Sequence, residues 1–249
     1  MINLAQELGV QSYCYRGFKD NRTFIAKVKE TGLSAVEICG VHVDFNDQAK
    51  FAEIVKLYQD SGIAIRSIGV QGFNNDAVKE RKYFEFCKLA GARHMSVNFT
   101  PECMMDGFHA AEKLADEYDL LLGIHLHGGA HWLGNSAILR YITKRTSRRI
   151  GLCLDTAWAL DARENPVKMV EEFADRVHLL HLKDFVFDRA RKPEDVVVGT
   201  GNLDLKALYA ALKKVDFKGV PLLEYEGDVA NPVPALRECV AAVRKQMAG

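Results

Sequence analysis

Short β-rich runs alternate with stretches of helix length along the whole of this 249-residue chain, and this alternation restricts its fold more than any other feature. The strand-like runs are 9–14, 34–39, 63–69, 93–98, 120–127, 150–155, 177–183 and 220–225. Helical stretches separate them, as in 47–61, where apolar residues recur at three- and four-residue spacing. Eight such units predict an α/β fold, a single (β/α)8 barrel over residues 1–249. An open doubly wound sheet is the alternative, but no G-x-G-x-x-G follows the first strand.

Residues that start and stop helices agree with this division of the chain. Gly62 and Gly91 each follow a periodic segment, as helix-ending glycines do. The pair Asn165-Pro166 is typical of an N-cap followed by a first-turn proline. These signals place helix boundaries between the predicted strands.

The charge and cysteine content exclude several classes of protein. Lys plus Arg number 33 and Asp plus Glu number 33, and a chain without net charge is a poor electrostatic binder of nucleic acid. No signal peptide or transmembrane span is evident, so no membrane partner is expected. The six scattered cysteines form no C-x-x-C, which predicts buried, reduced thiols in a cytoplasmic protein.

Side chains that can bind a metal lie at the ends of four successive predicted strands in the second half of the chain. They are His125, His127, Asp155, His181, Glu224 and Glu226. In a barrel the carboxyl ends of the strands meet on one face, where active sites form. Imidazole nitrogens and carboxylate oxygens are suitable ligands of a divalent ion. The pattern therefore predicts a metal-dependent enzyme.

The remaining histidines divide by their position. His94 and His178 lie near strand starts and His109 lies in a helical stretch, so these three are interpreted as structural or exposed. His131 follows the fifth strand and is a candidate for substrate binding. His42 follows the second strand and is a weaker candidate.

Six motifs are spread over nearly the whole chain: AVEICG (35–40), GIHLHGG (123–129), GLCLDTAWAL (151–160), VHLLHLKDF (177–185), VGTGNLD (198–204) and LLEYEGD (222–228). Together they resemble the xylose isomerase-like TIM-barrel superfamily of sugar phosphate isomerases/epimerases, which has endonuclease IV as a relative. The resemblance implies one divalent ion, most often Mn, with Co, Mg or Zn as alternatives. By position its ligands would be His125, Asp155, His181 and Glu224.

Two departures from the family pattern affect the expected chemistry. The family commonly has Glu where this chain has His125, and His where it has Trp158. Two carboxylates and two imidazoles still suit a divalent cation, but a proton relay between two glutamates is lost. The candidate catalytic residues are therefore Glu224, His127, Lys183, Glu226 and Glu37.

Substrate contacts are expected from the loops beyond the strands. Trp132 and Trp158 have flat faces that suit sugar rings, although both could equally cap the barrel core. Arg16 could hold an anionic or hydroxyl group, or lie at the surface. The loop Gly199-Thr200-Gly201-Asn202 could bind phosphate, but a tight turn with Asn202 or Asp204 as helix cap is the simpler interpretation.

These observations favour a metal-dependent sugar or keto-sugar isomerase or epimerase that acts through a metal-stabilised enediolate. A lyase that eliminates a β-substituent, for instance from a 3-keto-glycoside, shares the same first step. Less favoured alternatives are a non-catalytic sugar-binding barrel and an endonuclease IV-like repair enzyme. The expected partner is a small sugar, and a homo-oligomer or a partner subunit is compatible with the sequence.

Overall fold

Eight parallel strands close into one barrel in the computed structural model, which describes residues 4–247. The barrel strands are β1 (Gly9–Gln11), β2 (Ala35–Ile38), β3 (Ala64–Phe73), β4 (His94–Phe99), β5 (Leu121–His125), β6 (Ile150–Asp155), β7 (Val177–Leu182) and β10 (Val220–Leu223). They follow one another in chain order around the barrel, and β10 closes it by pairing with β1. The predicted single (β/α)8 barrel is confirmed, and the open-sheet alternative is wrong.

Helices cover the outside of the barrel. They are α1 (Leu4–Glu7), α2 (Asn21–Glu30), α3 (Phe51–Asp60), α4 (Ala77–Ala90), α5 (Met104–Tyr118), α6 (Ser136–Thr143), α7 (Thr156–Asp161), α8 (Pro166–Glu172), α9 (Leu205–Lys214) and α10 (Val233–Met247). Their predicted boundary signals are confirmed. Gly91 ends α4 with a φ of 73°, where a side chain would be strained, and the Asn165 side chain accepts the amide N–H groups of Val167 and Lys168.

The packed core lies both inside the barrel and between its strands and the helices. All six residues of β6 and all six of β7 are buried, as strands covered on both faces should be. The predicted burial of the six cysteines is confirmed, and each has a free thiol. Within residues 4–247, none of the helices combines the length and apolar character needed to span a membrane.

A two-stranded antiparallel hairpin follows β7 and was absent from the predicted elements. Its strands are β8 (Asp184–Phe187) and β9 (Pro193–Val196). The hairpin stands at the carboxyl-terminal end of the barrel, where Phe185 packs edge-on against Trp158 with ring centroids 5.1 Å apart. It therefore adds a wall to the face on which the polar strand ends meet.

Candidate metal centre and substrate cavity

The four predicted metal ligands come together at the carboxyl-terminal end of the barrel. His125, Asp155 and His181 are at or next to the ends of β5, β6 and β7, and Glu224 directly follows β10. One ligand atom from each lies within 4.8 Å of the ligand atoms of the other three. His125 Nε2 is 3.0 Å from His181 Nδ1, which is 2.8 Å from Glu224 Oε2. This spacing suits one divalent ion held by two imidazoles and two carboxylates.

Asp155 gives the most direct test of whether the residues fit a cation. Its Oδ1 atom accepts the amide N–H groups of Ala157 and Trp158, each at 2.9 Å, and so caps α7. Its Oδ2 atom is buried without a hydrogen-bond partner, 3.7 Å from His125 Nε2. A buried, unpartnered carboxylate oxygen is costly unless a cation meets it, so the geometry fits a divalent metal ion.

Burial and the neighbouring charges shift the ionisation of these ligands. Burial raises the pKa of Asp155 well above its usual value and lowers the pKa of His125. Burial alone would raise the pKa of Glu224, but the charges of Lys183 and His181 hold it well below its usual value. The centre thus presents an ionised Glu224 and an unprotonated His125, both of which suit metal binding.

Glu37 lies beneath the centre, on the barrel side of His181, and is fully buried (0% exposed). Its Oε1 atom is 3.1 Å from His181 Nε2 and also accepts hydrogen bonds from Gln11 Nε2 at 2.5 Å and Ser96 Oγ at 2.9 Å. Burial opposes ionisation, but His181, Ser67 and Ser96 together lower the pKa of Glu37. Glu37 is therefore an ionised group behind a candidate metal ligand.

A cavity of about 520 Å³ opens above the centre. Its lining includes the ligands His125 and Glu224. The other polar and aromatic side chains of the wall are Gln11, Tyr13, His127, Trp158 and Glu226. The volume is in the range of small-molecule sites, and the wall combines aromatic faces with few polar groups. The catalytic candidates His127 and Glu226 and the candidate substrate contact Trp158 thus lie together in one cavity with the centre.

Lys183 lies next to Glu226, a residue of the cavity wall, and is only 1% exposed. Its ammonium contacts the Glu226 carboxylate, lies 3.9 Å from Asp195 Oδ1, and is 5.5 Å from the Trp158 ring centroid. Burial alone would lower the pKa of Lys183, but Glu224, Asp155, Asp195 and Glu226 raise it. Lys183 is therefore held as a cation among carboxylates.

His127 and His131 form a short row of imidazoles beside the centre. His127 Nδ1 is 3.4 Å from His125 Nδ1, and the rings of His127 and His131 are 5.4 Å apart. Burial lowers the pKa of His127 to about 3, with His125 and His131 adding to the effect. His131 contacts Asn98 and the Leu133 amide, which holds the loop after β5. His127 is thus neutral on the cavity wall.

Trp132 and Arg16 are engaged by the protein itself. Trp132 Nε1 donates to the Phe99 carbonyl at 2.8 Å, and its ring packs near Phe108 in the core. Arg16 Nη2 donates to the Glu226 carbonyl at 2.7 Å, and its guanidinium lies over the Tyr13 ring. Both predicted substrate contacts are thus bound by other parts of the protein, and neither is among the residues that line the cavity.

The other histidines occupy structural positions. His42 Nε2 lies 3.0 Å from the Phe18 carbonyl, and its ring stacks on Phe24 at 4.2 Å. His178 Nε2 lies 2.8 Å from the Arg148 carbonyl, and His94 and His178 lie near the starts of β4 and β7, as predicted. His109 is on α5 beside Glu112.

The glycine loop after the hairpin binds a carboxylate of the protein. Asp184 Oδ2 accepts the amide N–H groups of Gly199 and Gly201, and its Oδ1 accepts that of Leu203, each at 2.9 Å. Asp204 caps α9 by accepting the Ala207 amide N–H. The predicted turn and helix cap are confirmed, and the loop amides that could cradle a phosphate face Asp184.

The sequence prediction missed several groups around the site. Gln11 ends β1 in the structure, but it lies inside the first predicted run, 9–14, so the prediction did not mark it as a strand end. Ser96 lies within the fourth strand, and Asp195 reaches Lys183 only because the unpredicted hairpin folds over the barrel end. Nothing local in the sequence identifies these two residues.

Comparison with known proteins agrees with this architecture. A protein in Geobacillus kaustophilus, inosose dehydratase, is 25% identical over 244 residues, covering 86% of this chain and 75% of its own. The structure of an L-ribulose 3-epimerase superposes with a TM-score of 0.75 at 15% identity, covering 97% of this chain and 94% of its own. The structure of the IolI protein, which contains a zinc atom, superposes with a TM-score of 0.78 at 14% identity. The match covers 97% of this chain and 98% of the IolI chain.

Both predicted reaction classes, epimerase and lyase, occur among these similar enzymes. The chain spans about half the length of several other inosose dehydratases it matches. The family profile described as xylose isomerase-like TIM barrel matches residues 25–246, which is most of the sequence. The chain belongs to the xylose isomerase-like TIM barrel family.

Proposed function

We propose that this protein is a divalent-metal-dependent enzyme that moves a proton next to the carbonyl of a sugar or keto-sugar, as an isomerase or epimerase. The observation that carries the proposal is the convergence of four metal-capable side chains at the floor of a cavity of about 520 Å³. The epimerase and dehydratase among the similar proteins support it, since both reaction types can begin with removal of such a proton.

The metal would be held by His125, Asp155, His181 and Glu224. A bound divalent ion supplies a Lewis acid that polarises a carbonyl oxygen of the substrate. Mn, which the family resemblance implies, is our first choice, with Co, Mg or Zn as alternatives. The two carboxylates suit Mn and Mg, and the two imidazoles suit Zn.

Among the candidate bases, Glu226 is in the best position to accept the proton. It lines the cavity, is half-buried, and has no place among the four ligands. Glu224 is one of the four proposed metal ligands and contacts His181. Lys183 is an ammonium ion paired with carboxylates, so its nitrogen has no free electron pair to accept a proton. Neutral His127 would act as a hydrogen-bond partner of the substrate on the same wall.

A lyase is the second candidate function, and Lys183 is the observation that favours it. Its ammonium contacts Glu226, so an acid and a base stand side by side at the cavity. Glu226 could remove the α-proton while Lys183 donates a proton to the leaving hydroxyl or alkoxide, which together constitute a β-elimination. The relative named as a dehydratase supports the same alternative.

The charges at the site favour an uncharged substrate over a phosphorylated one. Glu224 and Glu226 line the cavity, and the nearby Lys183 is already paired with carboxylates. The glycine loop faces Asp184, and Arg16 is bound to a main-chain carbonyl. A phosphate would have to displace one of these contacts, whereas hydroxyl groups of a neutral sugar can accept or donate hydrogen bonds throughout the wall.

Proton exchange in deuterated water tests the proposal. Protein stripped of metal and reloaded with Mn²⁺ or Zn²⁺ would be incubated with inososes and keto-pentoses, and the products followed by NMR and mass spectrometry. We expect deuterium at the carbon next to the carbonyl, with an isomer, an epimer or a dehydrated product identifying the reaction class. No exchange with any of these substrates, from a protein that binds metal, would contradict the proposal.

Glu226→Gln is the variant that tests the assigned base. We expect kcat to fall by about 10²–10⁴-fold, the usual contribution of a positioned acid or base, with metal content unchanged. Glu194, an exposed glutamate on the same hairpin as Asp195, provides the matched control, and Glu194→Gln should leave kcat unchanged. A Glu226→Gln enzyme with normal kcat would exclude Glu226 as the base.

A further inference from the structure

Beneath the candidate metal centre, the carboxylate of Glu37 contacts one of the candidate ligands without being one itself. Glu37 Oε1 lies 3.1 Å from His181 Nε2, the ring nitrogen that points away from the centre. The other ring nitrogen, Nδ1, faces Glu224 Oε2 at 2.8 Å and His125 Nε2 at 3.0 Å. His181 therefore bridges the centre on one side and Glu37 on the other.

We propose that Glu37 is a positioning residue that holds His181 in the tautomer and orientation needed to bind the metal, rather than a base that acts on substrate. An imidazole that binds a metal through Nδ1 must carry its proton on Nε2. Glu37 Oε1 is the acceptor placed to receive that proton, as carboxylates behind metal-bound histidines generally do. The inference rests on the proposed metal site.

The surroundings of Glu37 fix it in this position. Gln11 Nε2 and Ser96 Oγ donate to the same Oε1 atom, and Gln11 Nε2 is also 3.2 Å from the Gly69 carbonyl. These donors come from β1 and β4, on either side of β2 and β3, so the carboxylate is fixed by the barrel itself. A carboxylate held by three donors and 0% exposed is suited to orient a neighbour and poorly suited to reach a substrate.

The same network connects the centre to the cavity wall. The Gln11 side chain accepts the amide N–H of Tyr13 at 3.1 Å and thus fixes the turn that carries Tyr13 over the cavity. Gln11 itself also lines the cavity. Through Gln11 the orientation of Glu37, and therefore of His181, is tied to the position of the substrate wall.

Metal affinity separates a positioning role from a catalytic one. Binding of Mn²⁺ would be measured from the electron paramagnetic resonance of the free ion, and binding of Zn²⁺ by competition with a chelator. We expect Glu37→Leu to raise the metal Kd by about 10–100-fold, the usual effect of removing such a partner. Glu37→Gln keeps an acceptor oxygen but loses the charge, so its Kd should rise by about tenfold, at the lower end of that range.

Glu80 provides a matched control for the loss of a buried carboxylate. It is 2% exposed, accepts two backbone N–H groups through Oε1, and has an unpartnered Oε2, as Glu37 has. It lies in the first turn of α4, where it accepts the amide N–H groups of Asn74 and Asp76, and it has no contact with the candidate centre. We expect Glu80→Gln to destabilise the fold and to bind metal with the wild-type Kd at a temperature where the protein is folded.

The outcomes are distinguishable. A raised metal Kd in both Glu37 variants, with kcat recovered at saturating metal in Glu37→Gln, supports the inference. An unchanged Kd combined with a collapse of kcat at saturating metal would assign Glu37 to proton transfer and overturn it. If Glu37→Leu does not fold, Glu37→Gln alone decides between these results. A wild-type protein that binds neither ion would instead contradict the proposed function, before any variant is compared.

Discussion

Asp155 and Trp158 are joined by a hydrogen bond of 2.9 Å from the Trp158 amide to Asp155 Oδ1, which places a metal-ligand candidate and a cavity aromatic in one helix cap. The cap fixes Oδ1, so that Oδ2 is left to face His125, His181 and Glu224. It also begins α7 at the point where the Trp158 ring reaches the cavity. One side chain therefore positions both a candidate ligand and a candidate substrate contact.

Asp155→Asn should separate the cap from the metal site. Asn retains an oxygen for the two amides and is as good an N-cap as Asp, but it removes the buried negative charge. We expect the metal-free protein to gain about 1–3 kcal/mol in its free energy of unfolding, because an unpaired carboxylate is no longer buried. The increase in Tm on adding Mn²⁺ or Zn²⁺ should be lost. Thermal unfolding with and without the ion measures both effects, and a variant that still gains Tm from metal would exclude Asp155 as a ligand.

The two tryptophans should respond differently to substitution. Trp158 lines the cavity, so Trp158→Leu should raise KM by about 3- to 10-fold, which corresponds to the ~0.5–1.5 kcal/mol of a stacked aromatic contact. Trp132→Phe removes the hydrogen bond to the Phe99 carbonyl and should lower the free energy of unfolding by about 1–3 kcal/mol with KM unchanged. Steady-state kinetics and urea unfolding of both variants provide the test. A raised KM in Trp132→Phe would contradict this assignment and indicate that Trp132 contacts the substrate.

The barrel could be predicted from sequence because each barrel strand carries its own signal. Each of the eight predicted runs overlaps a barrel strand, but the bounds differ. The first run, 9–14, contains only the short strand Gly9–Gln11, with a 3-10 turn from Ser12, whereas β3 continues beyond its run to Phe73. The convergence of the four candidate ligands could be predicted because strand ends meet on one face of a barrel whatever the loop details. The hairpin could not be predicted from sequence, because Pro193–Val196 (PEDV) lacks apolar alternation. It is a strand only through its pairing with Asp184–Phe187.

The roles of the inward-facing groups could not be read from sequence, because they depend on the relative heights of side chains in the barrel. Glu37 and Glu226 both follow the rule that polar residues close strands, yet one lies beneath His181 and the other on the cavity wall. The register of β2 against β3 shifts between Val36 and Glu37, which no local pattern indicates. Lys183 is likewise defined by its partners Glu226 and Asp195, which come from distant segments.

Asp184→Asn should loosen the glycine loop. The carboxylate satisfies three backbone N–H groups, whereas an Asn amide has one oxygen, so its N–H₂ group would face either the Leu203 amide or those of Gly199 and Gly201. We expect a loss of about 2 kcal/mol or more in the free energy of unfolding, since each buried donor left without a partner costs ~1–3 kcal/mol. Asp204→Asn is the control, because Asn can cap α9 as Asp does. Equal stabilities of the two variants in urea would show that the Asp184 contacts contribute little.

Burial of His42 should make the fold sensitive to acid. Burial lowers the pKa of His42 from 6.5 to about 4, so the unfolded chain binds more protons than the folded chain between these values. The stability that depends on neutral His42 is therefore complete above pH 6.5 and is lost progressively as the pH falls towards 4, by up to about 3 kcal/mol.

His42→Phe keeps an aromatic ring against Phe24 but cannot titrate, so its free energy of unfolding should fall less steeply over this range. His178, whose pKa burial lowers to about 4, remains in both proteins and should leave a residual slope. Urea unfolding at half-unit pH steps, with a chelator in every sample, gives the free energy of unfolding of each protein as a function of pH. If the two curves are parallel, His42 takes up its proton in the folded state without loss of stability, and the prediction is wrong.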